Sequence, residues 1–197
     1  MSEGVLLRYD PDHKPATRQR ILASAGRRLK EDGIDRSGIS ALMADAGLTN
    51  GAFYSHFSSK QDLVATAIAQ ELDDQAEAFR AHGSTPEALE FFIREYLTQW
   101  HVDHRGDGCP SAALLDEIGR CNESTRKTYS EALMGFIDEM AIALSPGSAT
   151  VERSKALSIY AVLVGTMQLS RALTDPELAA RVLDRGVENA MNALRSL

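Results

Sequence analysis

The segment Gly47–Lys60 constrains the fold of this chain more than any other part of it. Its opening glycine ends one helical pattern, because glycine adopts the left-handed conformation that a tight turn requires. Thr49 can then cap a second helix, about two turns long, in which Leu48, Phe53 and Phe57 are spaced to face inward. A helix, a tight turn and a short second helix in this order predict a helix-turn-helix unit whose second helix enters a DNA major groove.

A wider set of residues around this segment follows a known pattern. The set comprises Ala44-Asp45-Ala46-Gly47-Leu48-Thr49, then Gly51, then Phe53-Tyr54-x-His56-Phe57-x-Ser59-Lys60. It resembles the N-terminal domain of TetR-family transcriptional regulators, and the resemblance runs from about Thr17 to Leu72 in compatible order and spacing. The resemblance implies an all-α fold of about nine helices, with an N-terminal three-helix helix-turn-helix DNA-binding domain and a C-terminal helical domain for dimerisation and effector binding.

Breaks in the helical pattern divide the chain into three regions. Residues 1–14 have no usable period and are expected to form a flexible arm. Residues 15–60 are expected to form the helix-turn-helix DNA-binding domain, and residues 61–197 the effector-binding and dimerisation domain. A fourth helix is expected to begin at Ser58, with Gln61 at capping-box spacing. This helix is the one long rigid element that the sequence predicts to leave the DNA-binding domain.

The outer side of the predicted second helix supplies the candidate base contacts. Asn50 can bond the edge of adenine in two places, and Ala52 can touch a thymine methyl group, which favours A·T steps in the operator. Tyr54 and His56 are expected to bind phosphate and therefore to set register. For His56 the alternative is a ring packed at a helix junction.

Further phosphate contacts are expected near helix starts. The resemblance places Lys14, Thr17 and Arg18 where this family touches phosphates, and plain solvation is the alternative. Ser37 is expected to take over a helix cap, since a glycine replaces the family's usual capping Thr or Ser beside it. Lys60 lies in the first turn of a helix, where the free backbone N–H groups favour a phosphate. The expected DNA contacts are Lys14, Thr17, Arg18, Ser37, Thr49, Asn50, Gly51, Ala52, Tyr54, Ser55, His56 and Lys60.

Bulky residues at helical spacing follow a break at residues 81–86 and continue to Trp100. They predict either ordinary core or an apolar ligand pocket with a few polar groups, and both interpretations remain open. The candidate effector-pocket residues are Phe92, Tyr96, Trp100, His101, His104, Cys109, Phe136, Met140, Tyr160 and Met167.

The last two predicted helices, residues 151–173 and the helix that begins after Asp175, are too apolar to be covered on one side only. We expect them to pair with their copies in a second subunit as a four-helix interface with two-fold symmetry. The resemblance implies the same mode of dimerisation. The expected interface residues are Tyr160, Val164, Met167, Arg171, Leu178, Val182, Val187, Met191 and Leu194.

Cys109 lies at the start of a predicted helix, a position that makes a thiol more reactive. Asp107 opposes this effect, and the alternative is a small buried residue at a turn. Some regulators that resemble this chain sense electrophiles or oxidants through a cysteine near this place. Cys121 is expected at roughly 15–18 Å from Cys109 across the intervening helix, too far for a disulfide. His101 and His104 have metal-ligand spacing but lie at a helix end, so no metal site is expected.

The charge of the chain is unevenly distributed, although the net charge is −7. Residues 1–60 carry 9 Lys and Arg against 7 Asp and Glu, whereas residues 61–197 carry 12 against 21. A mildly basic head on an acidic body favours binding of DNA by two copies, with weak nonspecific affinity. No apolar run is long enough to span a membrane, and the N-terminus does not read as a signal peptide. We therefore expect a cytoplasmic protein with reduced thiols.

These observations favour a DNA-binding repressor that a small-molecule effector releases from its operator. No glycine-rich phosphate loop, nucleophile elbow or metalloprotease motif is present, so an enzyme is not expected, nor is a cofactor. The expected partners are double-stranded operator DNA, a second copy of the chain and an unknown effector, with no membrane. Two alternatives remain, a thiol-based redox or electrophile sensor that acts through Cys109 and a constitutive DNA-architectural protein.

Overall fold

The computed structural model describes residues 13–145 and 149–195, and in this part of the chain every regular element is helical. The α-helices are α1 (His13–Asp32), α2 (Ile39–Asp45), α3 (Lys60–Ala81), α4 (Pro86–Tyr96), α5 (Gln99–Asp103), α6 (Pro110–Arg120), α7 (Glu123–Leu144), α8 (Ala149–Ala172) and α9 (Pro176–Arg195). The predicted all-α class is confirmed. The arm expected at residues 1–14 lies outside the described residues as far as residue 12, and residues 13 and 14 belong to α1.

The turns of the helix-turn-helix unit depend on two glycines. Gly33 ends α1 with a φ of 91°, and Gly47 ends α2 with a φ of 69°. These left-handed conformations are costly for residues with a side chain. The chain then enters the recognition segment, which we define as the 3-10 helix Asn50–Ser55.

The recognition segment is tighter than the sequence predicted. The Ala52 N–H donates to the Thr49 carbonyl at 3.1 Å, the three-residue spacing of a 3-10 helix. The Ser55 hydroxyl donates to the Ala52 carbonyl at 2.7 Å and so occupies an acceptor that an α-helix would use. Gly51 also weakens any α-helix here. The predicted helix is therefore present and about two turns long, but its geometry is that of a 3-10 helix.

The helix α3 begins one or two residues later than expected. Ser59 is its cap and accepts a hydrogen bond from the Asp62 N–H at 3.1 Å. Ser58 lies outside the helix, and both its N–H and its hydroxyl donate to the Asp62 carboxylate, at 2.8 and 2.9 Å. Asp62 therefore takes the role that the sequence analysis assigned to Gln61. Thr49 occupies the cap position of the recognition segment, but its side chain makes no capping bond. Thr85 and Asn122 cap α4 and α7 by accepting the N–H groups three residues further on.

Two hydrophobic cores share the long helix α3. The head core contains buried residues of α1, α2 and the recognition segment, and it continues past residue 60, the expected end of the domain, into α3, α6 and α7. Its members from those three helices are Leu63, Val64, Ala67, Ile68, Leu72, Leu114, Ile118 and Tyr129. The body core begins further along α3 at Ala76 and Phe79 and includes buried residues of α4 and of α6 to α9. One rigid helix thus joins the two cores.

The expected long aromatic helix after residue 85 is divided into two. Helix α4 ends at Tyr96, and Thr98 caps a new short helix by accepting the His101 N–H at 3.3 Å. The break changes which residues face inward. His101 becomes buried, whereas Trp100 becomes exposed.

None of the described helices combines the length and the apolar character that a membrane-spanning helix requires.

We predict that Gly33→Ala destabilises the protein more than Gly47→Ala. Both substitutions place a side chain at positive φ, which costs about 1 kcal/mol. A Cβ at position 33 would also lie 2.6 Å from Glu117 Oε1, whereas position 47 has open space. Glu117 accepts the Ile34 N–H at 2.6 Å, so its displacement also costs that hydrogen bond, on the order of 1–3 kcal/mol.

The free energy of unfolding in urea measures the difference between the two variants. Gly47→Ala is the matched control for backbone strain alone. Equal losses of stability in both variants would show that the contact between Glu117 and the turn contributes nothing.

Candidate nucleic-acid interface and ligand cavity

The recognition segment presents polar groups outward and aromatic groups inward. Phe53 and Phe57 are buried in the head core, as the spacing predicted. Tyr54 is 72% exposed, and Asn50 is exposed beside it. Thr49, Gly51 and Ser55 are also exposed, and Ala52 is half-buried. The surface is therefore small, polar and open to a groove.

Arg18 of α1 holds this surface in place from behind. Its guanidinium lies 4.2 Å from the centre of the Phe57 ring and donates a hydrogen bond to the His56 carbonyl. Both contacts fix the chain immediately after the recognition segment. Arg18, which was expected to contact phosphate, thus positions the recognition segment in this structure.

His56 is neutral at physiological pH. Burial lowers the pKa of its ring below the usual value, and the charges of Lys14 and Arg18 lower it further. Its Nδ1 atom is buried without a hydrogen-bond partner in the described residues. The ring therefore packs partly at the helix junction, which was the alternative in the sequence analysis.

Three other expected DNA contacts are engaged within the protein. Ser37 is 1% exposed, and its hydroxyl donates to the Gly33 carbonyl at 2.7 Å. It does not cap α2, whose cap position is Gly38 without a side-chain bond, so both roles expected of Ser37 are wrong. Thr17 is buried as well. The Lys60 ammonium donates to the Ile34 carbonyl at 2.6 Å.

A cavity of about 380 Å³ lies between the head and the body. Its walls come from α3, α4, α5 and the chain just before α6. The lining residues are Glu71, Asp74, Gln75, Phe92, Glu95, Tyr96, Trp100, His101, Asp107, Gly108, Cys109 and Pro110. Its volume is within the range of about 300–1,000 Å³ that is usual for small-molecule sites.

The cavity contains half of the predicted pocket residues. Those that line it are Phe92, Tyr96, Trp100, His101 and Cys109. Four others, Phe136, Met140, Tyr160 and Met167, are buried in the body core and do not line it. His104 is exposed and stacks on Trp100, with ring centres 4.5 Å apart. The predicted pocket residues therefore belong partly to the body core and partly to the wall of the cavity.

The α3 side of the cavity was not predicted from the sequence. Glu71, Asp74 and Gln75 share one face of α3 because their spacing is three and four residues. Polar residues at such spacing are typical of a solvated helix face, so the sequence carried no separate signal. Only the packing of α4 and α5 across this face makes it the wall of a cavity.

Glu71 connects the cavity to the head. Its carboxylate pairs with the ammonium of Lys30 on α1, and the Lys30 side chain is 4% exposed. Lys30 also donates to the Gly108 carbonyl at 3.0 Å. Burial raises the pKa of Glu71 above the usual value in spite of the Lys30 charge. Arg27 adds a second connection through Asp107, at 2.7 Å.

His101 forms the floor between the cavity and the start of α6. Its Nε2 atom accepts the Cys109 N–H at 3.1 Å, so Nδ1 carries the proton and donates to the Tyr96 carbonyl at 2.7 Å. Burial lowers the pKa of His101 to about 4, and the nearby Arg171 and Lys30 charges act in the same direction. The imidazole is therefore neutral and fully bonded within the protein.

A chain of buried hydrogen bonds runs from Cys109 toward the head. Its sulfur lies 3.2 Å from the Tyr160 hydroxyl, which donates to the Ser111 hydroxyl at 2.9 Å. Ser111 in turn lies 2.9 Å from the Tyr129 hydroxyl, within the head core. Since the single hydroxyl proton of Tyr160 goes to Ser111, the thiol donates to Tyr160, whereas either hydroxyl can donate in the bond between Ser111 and Tyr129. Both Cys109 and Cys121 are free thiols.

Five of the nine expected dimer-interface residues are buried in the chain's own core or engaged within the protein. Tyr160, Val164, Met167 and Met191 belong to the body core, and Arg171 donates to the carbonyls of Val102, Ala112 and His101. Leu178 is exposed, and Val182, Val187 and Leu194 are half-buried. The α8 residues predicted for the interface therefore lie on the inner face of this helix. The exposed face of α8 carries Leu157, Ala161, Gly165 and Leu169 at four-residue spacing.

Among the described residues, no group of three or more His, Cys, Asp and Glu side chains has the arrangement of a metal site.

The fold and the interface together define an all-helical DNA-binding protein with a helix-turn-helix head. Residues 21–67 match the family model described as bacterial regulatory proteins, tetR family. The match lies within the helix-turn-helix head, so the head is similar to the DNA-binding domain of TetR-family transcriptional regulators.

Curated relatives cover only part of the chain at low identity. A helix-turn-helix transcriptional regulator of Staphylococcus aureus strain MRSA252 is 28% identical over 113 residues, which are 55% of this chain and 57% of that protein. The match therefore spans less than two thirds of this relative. The fatty acid metabolism regulator protein of Bacillus subtilis strain 168 is 21% identical over 145 residues, 71% of this chain and 72% of that protein.

Solved structures share the fold over nearly the whole chain. The reduced form of NemR from E. coli superposes with a TM-score of 0.75 at 18% identity, over 90% of this chain and 96% of that one. FadR from Bacillus subtilis, in complex with stearoyl-CoA, gives a TM-score of 0.63 at 16% identity, over 89% and 98%. At these identities the likeness extends to the fold alone.

We predict that stability falls as the pH falls from 7 to 5, because of His101. Its folded pKa of about 4 lies below the usual value of 6.5. The unfolded chain therefore binds a proton near pH 6.5, whereas the folded protein excludes it until the pH is near 4. At pH 5 this difference costs about 2 kcal/mol.

Urea unfolding of the wild type and of His101→Gln at the two pH values measures this effect. We expect a flatter pH dependence in the variant, even though the variant is less stable at pH 7. An identical pH dependence in both proteins would exclude His101 as its source. The other titratable residues are the same in the wild type and the variant, so their contributions to the pH dependence cancel in the comparison.

Proposed function

We propose that this protein is a dimeric repressor that binds a two-fold symmetric operator and that leaves it when a small molecule fills the cavity. The observation that carries the proposal is the double role of α3. This helix supplies head-core residues such as Leu63 and Ile68, and within the next two turns it supplies the cavity residues Glu71 and Gln75. Occupancy of the cavity and the position of the head therefore depend on one rigid element.

DNA binding is assigned to the recognition segment and its neighbours. Exposed Asn50 is suited to the edge of adenine, and exposed Tyr54 to phosphate. Lys14 is exposed near His56 and can approach the backbone as well. Lys60 reaches a phosphate only if it leaves the Ile34 carbonyl. We therefore rank Lys60 below Tyr54 as a DNA contact.

Dimerisation is assigned to the outer faces of α8 and α9. Leu169 is 53% exposed, and Leu157 and Leu178 are exposed as well. Ala161 and Gly165 between these leucines have small side chains or none, which lets a partner helix approach closely. A two-fold axis here supplies a second recognition segment for a half-site about 34–36 Å away, one helical turn of DNA.

Release is assigned to a population shift between two positions of the head. An effector that binds the cavity more tightly in one of the two head positions favours that position. The spacing of the two recognition segments then changes, and operator affinity falls by the same coupling free energy. This mechanism requires contacts between cavity and head that differ in the two states, and Lys30 and Arg27 on α1 are candidates for them.

We predict that Asn50→Ala and Tyr54→Phe affect DNA binding differently. Loss of a bidentate base contact relaxes preference at one or two base pairs by about 1–3 kcal/mol each. Loss of a phosphate hydrogen bond weakens binding to all sequences, by roughly 1 kcal/mol. Fluorescence anisotropy with the DNA that flanks the gene, with single-base variants and with shuffled DNA measures both effects.

The wild type serves as control for sequence preference in this experiment. If it binds shuffled DNA as tightly as flanking DNA, the protein is an architectural DNA-binding protein and the proposal fails. If both variants weaken binding equally on every sequence, the assignment of Asn50 to bases is wrong.

A second candidate function is an electrophile-sensing repressor, and the position of Cys109 favours it. The residue lines the cavity and begins the hydrogen-bond chain through Tyr160 and Ser111 to Tyr129 in the head core. Addition of the thiol to an α,β-unsaturated carbonyl forms a C–S bond at the β-carbon. The thiol proton leaves, and the α-carbon takes up a proton. The modified sulfur can no longer donate to Tyr160.

We predict that Cys109→Ser abolishes release of operator by such an electrophile and leaves DNA binding unchanged without it. The serine hydroxyl still donates to Tyr160, so the buried chain stays intact. Cys121→Ser, which replaces the other thiol, is the matched control and keeps the response. The measurement is operator anisotropy before and after treatment with a mild electrophile. A response that survives in Cys109→Ser excludes this second function.

A further inference from the structure

The walls of the cavity are negatively charged where they are open to solvent. Carboxylates of Glu71, Asp74, Glu95 and Asp107 line it, and no Lys or Arg does. Asp74 accepts a hydrogen bond from Gln70, and within the described residues no basic group lies within ion-pair distance of Asp74 or Glu95.

The positive charges nearby are engaged behind the cavity wall. Lys30 and Arg27 approach Glu71 and Asp107 from α1. Arg171 is held by three backbone carbonyls, and it does not line the cavity. His101 is neutral, since its pKa lies near 4. A ligand that enters the cavity therefore meets carboxylates before it meets any cation.

Two buried polar groups in the cavity wall have no hydrogen-bond partner within the described residues. They are the Tyr96 hydroxyl and Gln75 Oε1. Tyr96 is 4% exposed, and its hydroxyl lies near the Cys109 thiol without a bond of acceptable geometry. An unpaired buried polar atom costs on the order of 1–3 kcal/mol, so these two atoms favour a ligand that forms hydrogen bonds with them.

The available groups accept hydrogen bonds more than they donate them. The Gln75 oxygen and the carboxylates are acceptors, and the ring nitrogens of His101 are already used within the protein. Phe92, Tyr96 and Trp100 add aromatic rings, which attract cations. Phosphate or carboxylate ligands would face repulsion here.

We propose that the effector is a small organic cation with an aromatic or aliphatic body, and that Glu71 exchanges Lys30 for the cationic group of this ligand. The proposal rests on the repressor function above and names the chemical class of its effector. The ammonium group lies among Glu71, Gln75 and Tyr96, and the apolar body lies against Phe92 and Trp100.

The exchange at Glu71 reaches the recognition segment through α1. Glu71 also packs against the α1 backbone at Gly26, where a Cβ would overlap its carboxylate. When the ligand attracts Glu71, Lys30 loses its carboxylate partner and α1 loses part of its support. Arg18 lies on the same helix, about 18 Å from Lys30 along the axis, and holds the chain at His56 and Phe57.

Three probes of similar size test the class of ligand. They are benzylammonium, its neutral carbon analogue ethylbenzene and the anion phenylacetate; the primary ammonium carries the N–H donors that the acceptors of the cavity require. Titration calorimetry or a thermal-shift assay with the whole protein measures binding of each one. We expect binding of the cation alone, weakened by salt. Equal or tighter binding of the neutral or anionic probe, or the absence of any binding of the cation, overturns the proposal.

Substitutions locate the cation in the cavity. We expect Glu71→Gln to weaken binding of the cation about tenfold, as loss of a charged hydrogen bond does. Glu95→Gln at the exposed rim should weaken binding of the cation a few-fold. This variant keeps the ion pair between Glu71 and Lys30, so it provides the test if Glu71→Gln fails to fold. Glu90→Gln, on the same helix as Glu95 but outside this cavity, is the charge-matched control. Equal effects of Glu90→Gln and Glu95→Gln contradict the assignment.

The Lys30→Met variant tests binding of the cation separately from the effect of the cation on operator affinity. Glu71 then has no competing ammonium, so the cation should bind more tightly than in the wild type. Operator affinity should no longer respond to the cation, because the exchange at Glu71 has no partner on α1. The double variant Lys30→Met with Glu71→Gln leaves no unpaired buried charge and serves as the control for folding. If operator affinity still responds to the cation in a folded Lys30→Met protein, the proposed exchange at Glu71 is wrong.

The same assays distinguish failure of this proposal from failure of the repressor function. If the protein binds its operator specifically and releases it for neutral or anionic compounds only, the repressor function stands and the cationic class is wrong. If the protein shows no specific DNA binding, the repressor function fails, while binding of the cation remains measurable without DNA.

Discussion

The buried ion pair between Lys30 and Glu71 is the interaction on which the arrangement of head and body depends. It joins α1 to α3 at the level of the cavity, and Lys30 bonds the Gly108 carbonyl as well. A buried ion pair contributes little net stability, because desolvation offsets the attraction, but the loss of one partner is costly. Such a pair suits a junction whose state a ligand can change.

The cavity and the recognition segment are connected by two helices, α1 and α3. Helix α3 passes from the head core to the cavity and then to the body core, and α1 runs from Lys30 at the cavity to Arg18 behind the segment. Both connections are helices, which transmit displacement with little deformation. Some of the aromatic residues predicted for a pocket line this cavity, and the others are buried in the body core. The acidic residues on the cavity side of α3 therefore determine much of the charge of the site.

Much of the fold was predictable because it rests on local interactions. Gly33 and Gly47 need no tertiary contact to favour a turn, Thr85 and Asn122 cap helices through residues three positions away, and Phe53 and Phe57 follow a helical spacing. Predictions failed where two local solutions compete. Ser58 and Ser59 are both suitable caps, and only the bonds to Asp62 decide between them.

The sequence by itself determined the helical class and the helix-turn-helix head, since periodicity and turn-forming residues are local features of the chain. Only the tertiary structure decided which polar residues are functional. Ser37 and Lys60 bond carbonyls of the chain, Arg18 holds the recognition segment, and Glu71 faces a cavity. The reason is that a side chain's partner across the fold depends on helix packing, and helix packing leaves no local pattern in the sequence.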